Sequence, residues 1–246
     1  MVPPRPSDGL RWPLADQDEA GALFPDERQA GRHVGTGEYR GLEFLHVNAR
    51  RIINSVPGGS LPFRYTINAY RGCSHACTYC FARPTHEYLG LGIGADFETK
   101  IVVKINAVER LKAELASPTW PGETIAMGTN TDPYQAAEGK YHLTQGIVRV
   151  LSDAANPFSI LTKSTLVLRD LALLVAAAQR TDVRLDLSVG TLDRDVWRLT
   201  EPGTPPPERR LDAVRRLNEA GVPCGVLVAP VLPGLSDGDD QVRAVV

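Results

Sequence analysis

The sequence predicts an α/β fold built on a parallel sheet, because short apolar strands alternate with helical segments along most of the chain. The strands are apolar runs without strict alternation, which is typical of strands covered on both faces. The expected strands cover 63–70, 124–128, 158–162, 183–189 and 224–231. Five such strands fit an open sheet and a barrel equally well.

Helices are expected in the intervals between these strands. Ile105, Val108 and Leu111 recur at helical spacing and mark one apolar face. The segment 206–220 begins with proline and is followed by Gly221, a pair of residues that often bounds a helix. The expected helices cover 105–116, 144–155, 168–179 and 206–220, and another begins within 237–246.

The first 60 residues differ from the rest of the chain, because proline and glycine interrupt them without a repeating apolar pattern. We therefore predict an irregular N-terminal extension over residues 1–60 and a core domain over residues 61–246. The fourth cysteine, Cys224, stands at the start of the last expected strand. We expect it to pack in the core as a small buried apolar side chain.

The composition is that of an ordinary globular protein, with 43% hydrophobic and 23% charged residues. The formal net charge of -2 provides no overall attraction to DNA, RNA or an acidic membrane. No apolar run reaches the roughly 18 residues that a bilayer-spanning helix requires. Residues 1–8 lack the apolar core of a signal peptide. These observations predict a cytoplasmic protein with no membrane partner.

The most specific feature is the group of three cysteines Cys73, Cys77 and Cys80, with the spacing C-x3-C-x2-C. Disulfides between such close neighbours would close very small loops and stabilise little, so metal ligation is the better interpretation. Thiolates are the usual ligands of iron–sulfur clusters. Three of them leave one iron of a four-iron cluster open to an external chelator, as in catalytic metal sites.

This loop resembles the signature of the radical S-adenosylmethionine (SAM) superfamily, which has the same spacing and an aromatic residue, here Tyr79, before the last cysteine. The resemblance also implies that Tyr79 is one of the cofactor-binding residues. The flanking segments 65–73 and 80–86 look like the spore photolyase-like branch, and the resemblance extends over roughly residues 40–236. It implies a partial (β/α) barrel that holds a [4Fe-4S] cluster and SAM. It also implies an electron donor such as flavodoxin or ferredoxin, and cleavage of SAM to a 5′-deoxyadenosyl radical.

The resemblance and the strand ends together suggest which residues hold SAM, because ligands of parallel α/β folds bind at the C-terminal ends of strands. It implies that Gly128 and Thr129 meet the SAM amino group, although the usual two glycines and glutamate are absent, and that Val231 packs on adenine. Lys163 could pair with the carboxylate as a point charge, and Ser188 could bond the ribose or carboxylate. Each has a structural alternative: a capped turn, a core residue followed by a turn, a surface lysine, and a serine bonded to its own backbone.

Two other functions stay open at this point. His75 could complete a Cys3His set in a structural zinc protein, although a histidine inside the loop is expected to face solvent. The chain could also be an inactive fragment that binds a cluster without completing the chemistry. A full barrel of this kind has one more βα unit, so the chain is expected to be truncated after the fifth strand.

The substrate and the catalytic residues cannot be derived from the sequence. Spore photolyase repairs a thymine lesion and uses a cysteine near its second strand as a hydrogen donor, and no cysteine stands there in this chain. Arg50, Arg64 and Arg83 belong to a mild local excess of positive charge, which suits solvated surface or phosphate-facing groups equally. Nucleic acid thus remains a conceivable substrate that the net charge does not support.

Overall fold

A computed structural model describes residues 31–56 and 61–246 and confirms the α/β prediction. The strands are β1 (Arg32–Val34), β2 (Glu43–Val47), β3 (Ile53–Ser55), β4 (Tyr65–Ile67), β5 (Tyr70–Arg71), β6 (Lys100–Lys104), β7 (Ile125–Met127), β8 (Phe158–Thr162), β9 (Val183–Ser188) and β10 (Cys224–Leu227). The helices are α1 (Ala95–Thr99), α2 (Ala107–Leu115), α3 (Ala136–Tyr141), α4 (Leu143–Asp153), α5 (Leu171–Ala178), α6 (Arg194–Thr200), α7 (Pro207–Glu219) and α8 (Asp239–Val245).

The main sheet has six strands in the order β10-β9-β8-β7-β4-β3. Its five parallel strands, β4, β7, β8, β9 and β10, are the five that the sequence predicts, and β3 adds antiparallel to β4. The two end strands of this sheet do not pair with each other in the described residues, so the sheet is an open partial barrel.

A second sheet has the order β1-β2-β6-β5, with β2 and β6 parallel. The prediction of an irregular segment over 1–60 is therefore wrong for residues 31–56, which contain β1, β2 and β3. Residues 1–30 and 57–60 lie outside the described residues. These short strands were missed because their stability comes from partners elsewhere in the chain: β2 pairs with β6, more than 50 residues later.

The predicted helices are present, but most are shorter than expected. The predicted helix 168–179 begins only at Leu171, because residues 165–170 form a 3-10 turn capped by the Ser164 side chain, which accepts the N–H of Leu166 at 3.2 Å. The last expected strand ends at Leu227 rather than at residue 231. Three short helices, α1, α3 and α6, were not predicted.

The two faces of the main sheet have different neighbours. On β9, Leu185 and Leu187 are fully buried in the core, and they alternate with Arg184 and Asp186, which line a cleft on the other face. In the part of the chain that the structure describes, the expectation that both faces are covered is therefore wrong, because the Arg184 side chain on the second face is 71% exposed. Cys224 packs against the same core, as predicted.

Candidate functional site

The three cysteines lie on a tightly anchored loop, residues 72–80, which we call the cluster loop. Gly72 has φ +78° and a β-carbon there would stand 2.9 Å from the carbonyl oxygen of Phe97, so the position requires glycine. The Gly72 carbonyl accepts hydrogen bonds from Thr131 Oγ1 at 2.6 Å and Gln135 Nε2 at 2.9 Å. The Cys73 N–H donates to Phe97 O at 2.8 Å. The loop is thus held from both sides before any ligand binds.

The three thiols are shielded from solvent to different degrees, and the charges of Cys73 and Cys80 affect the Cys77 thiol. Cys73 and Cys77 are each 8% exposed, and Cys80 is half-buried. Burial raises the pKa of Cys77 to about 12, with Lys163 opposing that rise and the charges of Cys73 and Cys80 adding to it. Binding of a positive centre would favour the thiolate form of Cys77 and oppose this rise.

Thiolates are ligands both of zinc ions and of iron–sulfur clusters, and the two sites require different arrangements of the sulfurs. Within residues 31–56 and 61–246, no three His, Cys, Asp or Glu side chains are grouped so that they could hold a single metal ion. A zinc ion would draw its thiolates to about 2.3 Å from one centre. Thiolates on different irons of a cluster need not converge in this way.

His75 is buried, not solvent-facing, so that prediction is wrong. It is 5% exposed, and its Nδ1 lies 3.3 Å from Asp132 Oδ2. Burial lowers the pKa of His75, but the charges of Asp132 and of a Cys73 thiolate outweigh this and raise it to about 10. Burial likewise opposes ionisation of Asp132, but His75 and the bonds from Lys163 and Thr162 hold its pKa at about 2. The pair ties the cluster loop to the end of β7.

Asp132 also joins two strand ends. Its Oδ1 accepts the N–H of Tyr134 at 2.8 Å, which is the local turn cap considered from the sequence, and the hydroxyl of Thr162 at 2.7 Å. Its Oδ2 accepts the N–H of Lys163 at 2.7 Å. The carboxylate therefore fixes the start of the Lys163 segment relative to the cluster loop.

The structure brings together three of the residues assigned to SAM. Lys163 Nζ donates to Ser188 Oγ at 2.7 Å and lies 5.7 Å from the centre of the Tyr79 ring. The Lys163 side chain is only 16% exposed, so it is not a solvated surface lysine. Ser188 Oγ donates to Ala229 O at 2.7 Å, so its partner is another strand end rather than its own backbone.

Sequence reasoning missed the two residues that connect this group. Glu201 accepts hydrogen bonds from the Tyr79 hydroxyl and from Arg210 Nη2, the latter at 2.5 Å, and it lies 3.8 Å from Lys163 Nζ. Arg210 is fully buried and also donates to Ser188 O at 2.8 Å. We call these five residues the Glu201 network. Arg210 lies in a helix rich in charged residues, and nothing in that pattern marks it as buried.

Gly128 and Thr129 follow β7 and line the cleft on the inner face of the sheet. Gly128 has φ +93°, and a β-carbon there would stand 1.9 Å from the carbonyl oxygen of Leu161. Thr129 Oγ1 accepts a hydrogen bond from Asn68 at 3.4 Å. Val231 lies beyond the end of β10 and is 45% exposed, and the contacts that join Tyr79, Lys163 and Ser188 do not include it.

The cleft has a volume of about 810 Å³, which is within the range of small-molecule sites. Phe81, next to Cys80, forms part of its lining, so the cleft reaches the cluster loop. Among the described residues, no helix has the length and apolar character needed to cross a membrane.

The structure thus combines an open sheet of parallel βα units with a loop that carries three thiols. The family model of the radical SAM superfamily matches residues 67–244, so the chain belongs to this superfamily. It is 49% identical over 211 residues to an uncharacterized protein of Mycobacterium tuberculosis H37Rv, covering 85% of this chain and 62% of that protein. An uncharacterized protein of Methanocaldococcus jannaschii is 30% identical over 198 residues, covering 80% of this chain and 70% of that protein. The chain thus spans about 62% of the length of the mycobacterial relative.

Solved structures of spore photoproduct lyase share the fold. The enzyme complexed with dinucleoside spore photoproduct matches with a TM-score of 0.57 and 19% identity, over 77% of this chain and 52% of that one. A double mutant with bound AdoMet and the same dinucleoside matches with a TM-score of 0.60 and 21% identity, over 82% of this chain and 56% of that one. The likeness to the spore photolyase-like branch is therefore confirmed at the level of fold.

Proposed function

We propose that Cys73, Cys77 and Cys80 hold a [4Fe-4S] cluster and that the chain reductively cleaves SAM. The observation that carries the proposal is the set of three mutually interacting thiols on an anchored loop, next to Lys163, in a member of the radical SAM superfamily. When bound to these cysteines, a reduced cluster would supply one electron for cleavage of a carbon–sulfur bond of SAM, with methionine and a 5′-deoxyadenosyl radical as products, and this radical would take a hydrogen atom from the substrate.

The residues of this chain orient SAM and exclude water from it. Lys163 is a fixed positive charge for the SAM carboxylate, because Ser188 and Glu201 hold its ammonium group next to Tyr79. We assign the SAM amino group to the backbone at Gly128 and Thr129, and Val231 to one side of the adenine. Cys73 and Cys77 are buried, which limits access of water to the bound sulfurs.

The substrate stays unassigned in this proposal. A nucleic acid lesion is one candidate, because a spore photoproduct lyase structure that shares the fold contains a dinucleoside spore photoproduct. The electron would come from a small donor such as flavodoxin or ferredoxin. We place the protein in the reducing cytoplasm, where free thiols persist.

The test is anaerobic reconstitution with iron and sulfide, followed by reduction with SAM present and measurement of 5′-deoxyadenosine. We expect about four irons and four sulfides per chain, and 5′-deoxyadenosine formation. Cys77→Ala should lose the cluster and reduce cleavage to background. Cys224→Ala, which alters a cysteine packed on the core, should retain both.

Each of the other possible outcomes would contradict the proposal in a different way. Bound zinc without sulfide would indicate the Cys3His alternative. An intact cluster without 5′-deoxyadenosine would indicate a cluster-binding protein that does not cleave SAM. Cleavage retained in Cys77→Ala would refute the ligand assignment.

A further inference from the structure

One buried cation of the cleft has no role in the site described above. Lys104 is the last residue of β6 and lines the cleft, although it is only 4% exposed. Within the described part of the chain, its ammonium group makes no hydrogen bond and no ion pair. A buried charge without a partner is destabilising, so the presence of a lysine at this position calls for an explanation.

The charges around Lys104 do not neutralise it. Burial and the nearby positive charge of Arg71 lower the pKa of Lys104 to about 8, and Glu114 opposes them. The Glu114 carboxylate is already used, because its oxygens accept the N–H groups of Ile52 at 2.7 Å and Ile53 at 3.0 Å. Lys104 is therefore mainly protonated at neutral pH in a positive environment.

The opposite edge of the cleft shows what a partnered cation looks like. Arg184 also lines the cleft, but its Nε lies 3.2 Å from Asp186 Oδ2 and its side chain is 71% exposed. Arg184 thus has both a carboxylate and wide exposure to water, whereas Lys104 has no carboxylate at ion-pair distance among the described residues and is only 4% exposed. An anion that enters the cleft would supply the partner that the chain does not provide.

The remaining lining indicates the rest of the ligand. Met127 and Ile160 supply apolar surface, and Gly128 and Thr129, which the proposed function assigns to SAM, line the same cleft. We propose that Lys104, assisted by Arg71, binds an anionic group, a phosphate or a carboxylate, on the organic substrate that reacts in this cleft. This inference rests on the proposed function for the identity of the reaction, but the anion site can be measured without it.

The experiment measures binding of inorganic phosphate and of acetate to the cluster-loaded chain, at constant ionic strength with chloride as the balancing anion. A ligand that binds only the folded state raises the unfolding temperature in a saturable way. We expect such a rise with one of the two anions, which tells a phosphate-bearing substrate from a carboxylate-bearing one. Lys104→Met should weaken the binding at least tenfold, and Arg184→Gln should leave it unchanged.

A second measurement uses the unaltered chain and so does not depend on how the variants fold. The bound anion should protect the Lys104 amine from acetylation by acetic anhydride, as read by mass spectrometry, while exposed Lys112 reacts equally with and without the anion. Equal anion binding by Lys104→Met, or no protection of Lys104 by either anion, would overturn the inference. Absence of cluster and of 5′-deoxyadenosine would instead overturn the proposed function, so the two failures are distinguishable.

Discussion

Buried positive charges have a carboxylate partner in the Glu201 network, whereas Lys104 has none at ion-pair distance among the described residues. In the network, Arg210 and Lys163 both lie within 4 Å of Glu201, and backbone or hydroxyl oxygens accept their remaining bonds. At the other site, Lys104 is 4% exposed and has no carboxylate at ion-pair distance among the described residues. A cation that the protein neutralises itself supports the fold, whereas one left without a partner is available to a ligand.

The largest effect is expected where the neutralised cation is most buried. Glu201→Ala would leave Arg210 charged and fully buried, and should lower the free energy of unfolding by about 3 to 5 kcal/mol. Chemical denaturation measures this loss. The double variant Glu201→Leu with Arg210→Met removes both charges and should recover most of it. A loss below about 1 kcal/mol in Glu201→Ala would contradict the contrast between Arg210 and Lys104, because Arg210 would then need no partner.

Removal of the Lys104 charge should raise the free energy of unfolding, whereas loss of Glu201 lowers it. The folded-state pKa of Lys104 is about 8 against 10.5 for a free lysine, so the folded protein binds this proton less tightly than the unfolded chain does. The penalty is therefore complete below pH 8 and is relieved as the pH rises toward 10.5. Lys104→Met should be the more stable protein at pH 7, and its advantage should shrink by about 3 kcal/mol by pH 10.5.

Denaturation of the two proteins across this pH range isolates Lys104 from the other groups that titrate. An advantage that does not change with pH would contradict the assignment of an unneutralised charge. A wild type that is more stable than Lys104→Met at pH 7 would show that Lys104 supports the fold and would remove the contrast with Arg210.

The smallest effect concerns the edge of the Glu201 network. Ser188→Ala removes the acceptor of Lys163 Nζ and a donor to Ala229 O, and should cost about 1 kcal/mol. Ser159 also lines the cleft, and its hydroxyl makes no hydrogen bond among the described residues. Ser159→Ala is the matched control and should change the stability by less than about 0.5 kcal/mol. Equal losses in both variants would show that Lys163 does not depend on Ser188.

Much of the fold could be predicted because its signals are local. The strand at 158–162 was predicted with its exact boundaries, since its apolar run ends at Asn156-Pro157 on one side and at Lys163 on the other. Strand β6, with the sequence KIVVK, was missed, because its place depends on pairing with β2 and β5. The short helix α6 was missed as well, although Asp193 caps it through its side chain.

The candidate site, like the fold, could be predicted only where its signals are local in the sequence. Cys73, Cys77 and Cys80 carry a local spacing, and Lys163 and Ser188 follow strands whose ends must meet at one edge of a parallel sheet. The partners of these residues could not be predicted in this way. Tyr79 and Glu201 are 122 residues apart, and His75 meets Asp132 only because two separate loops pack together.

By itself, the sequence determined which chemical groups the protein offers and roughly where they lie. These are three thiols spaced along one loop, and polar residues that parallel strands bring to one edge of the sheet. Only the tertiary structure decided which charges are neutralised. Electrostatic pairing depends on distances of a few ångströms between elements far apart in the chain, and periodicity and spacing do not contain those distances. For that reason Arg210 and Lys104, two ordinary cations in the sequence, became a buried support of the fold and an unpartnered charge facing the cleft.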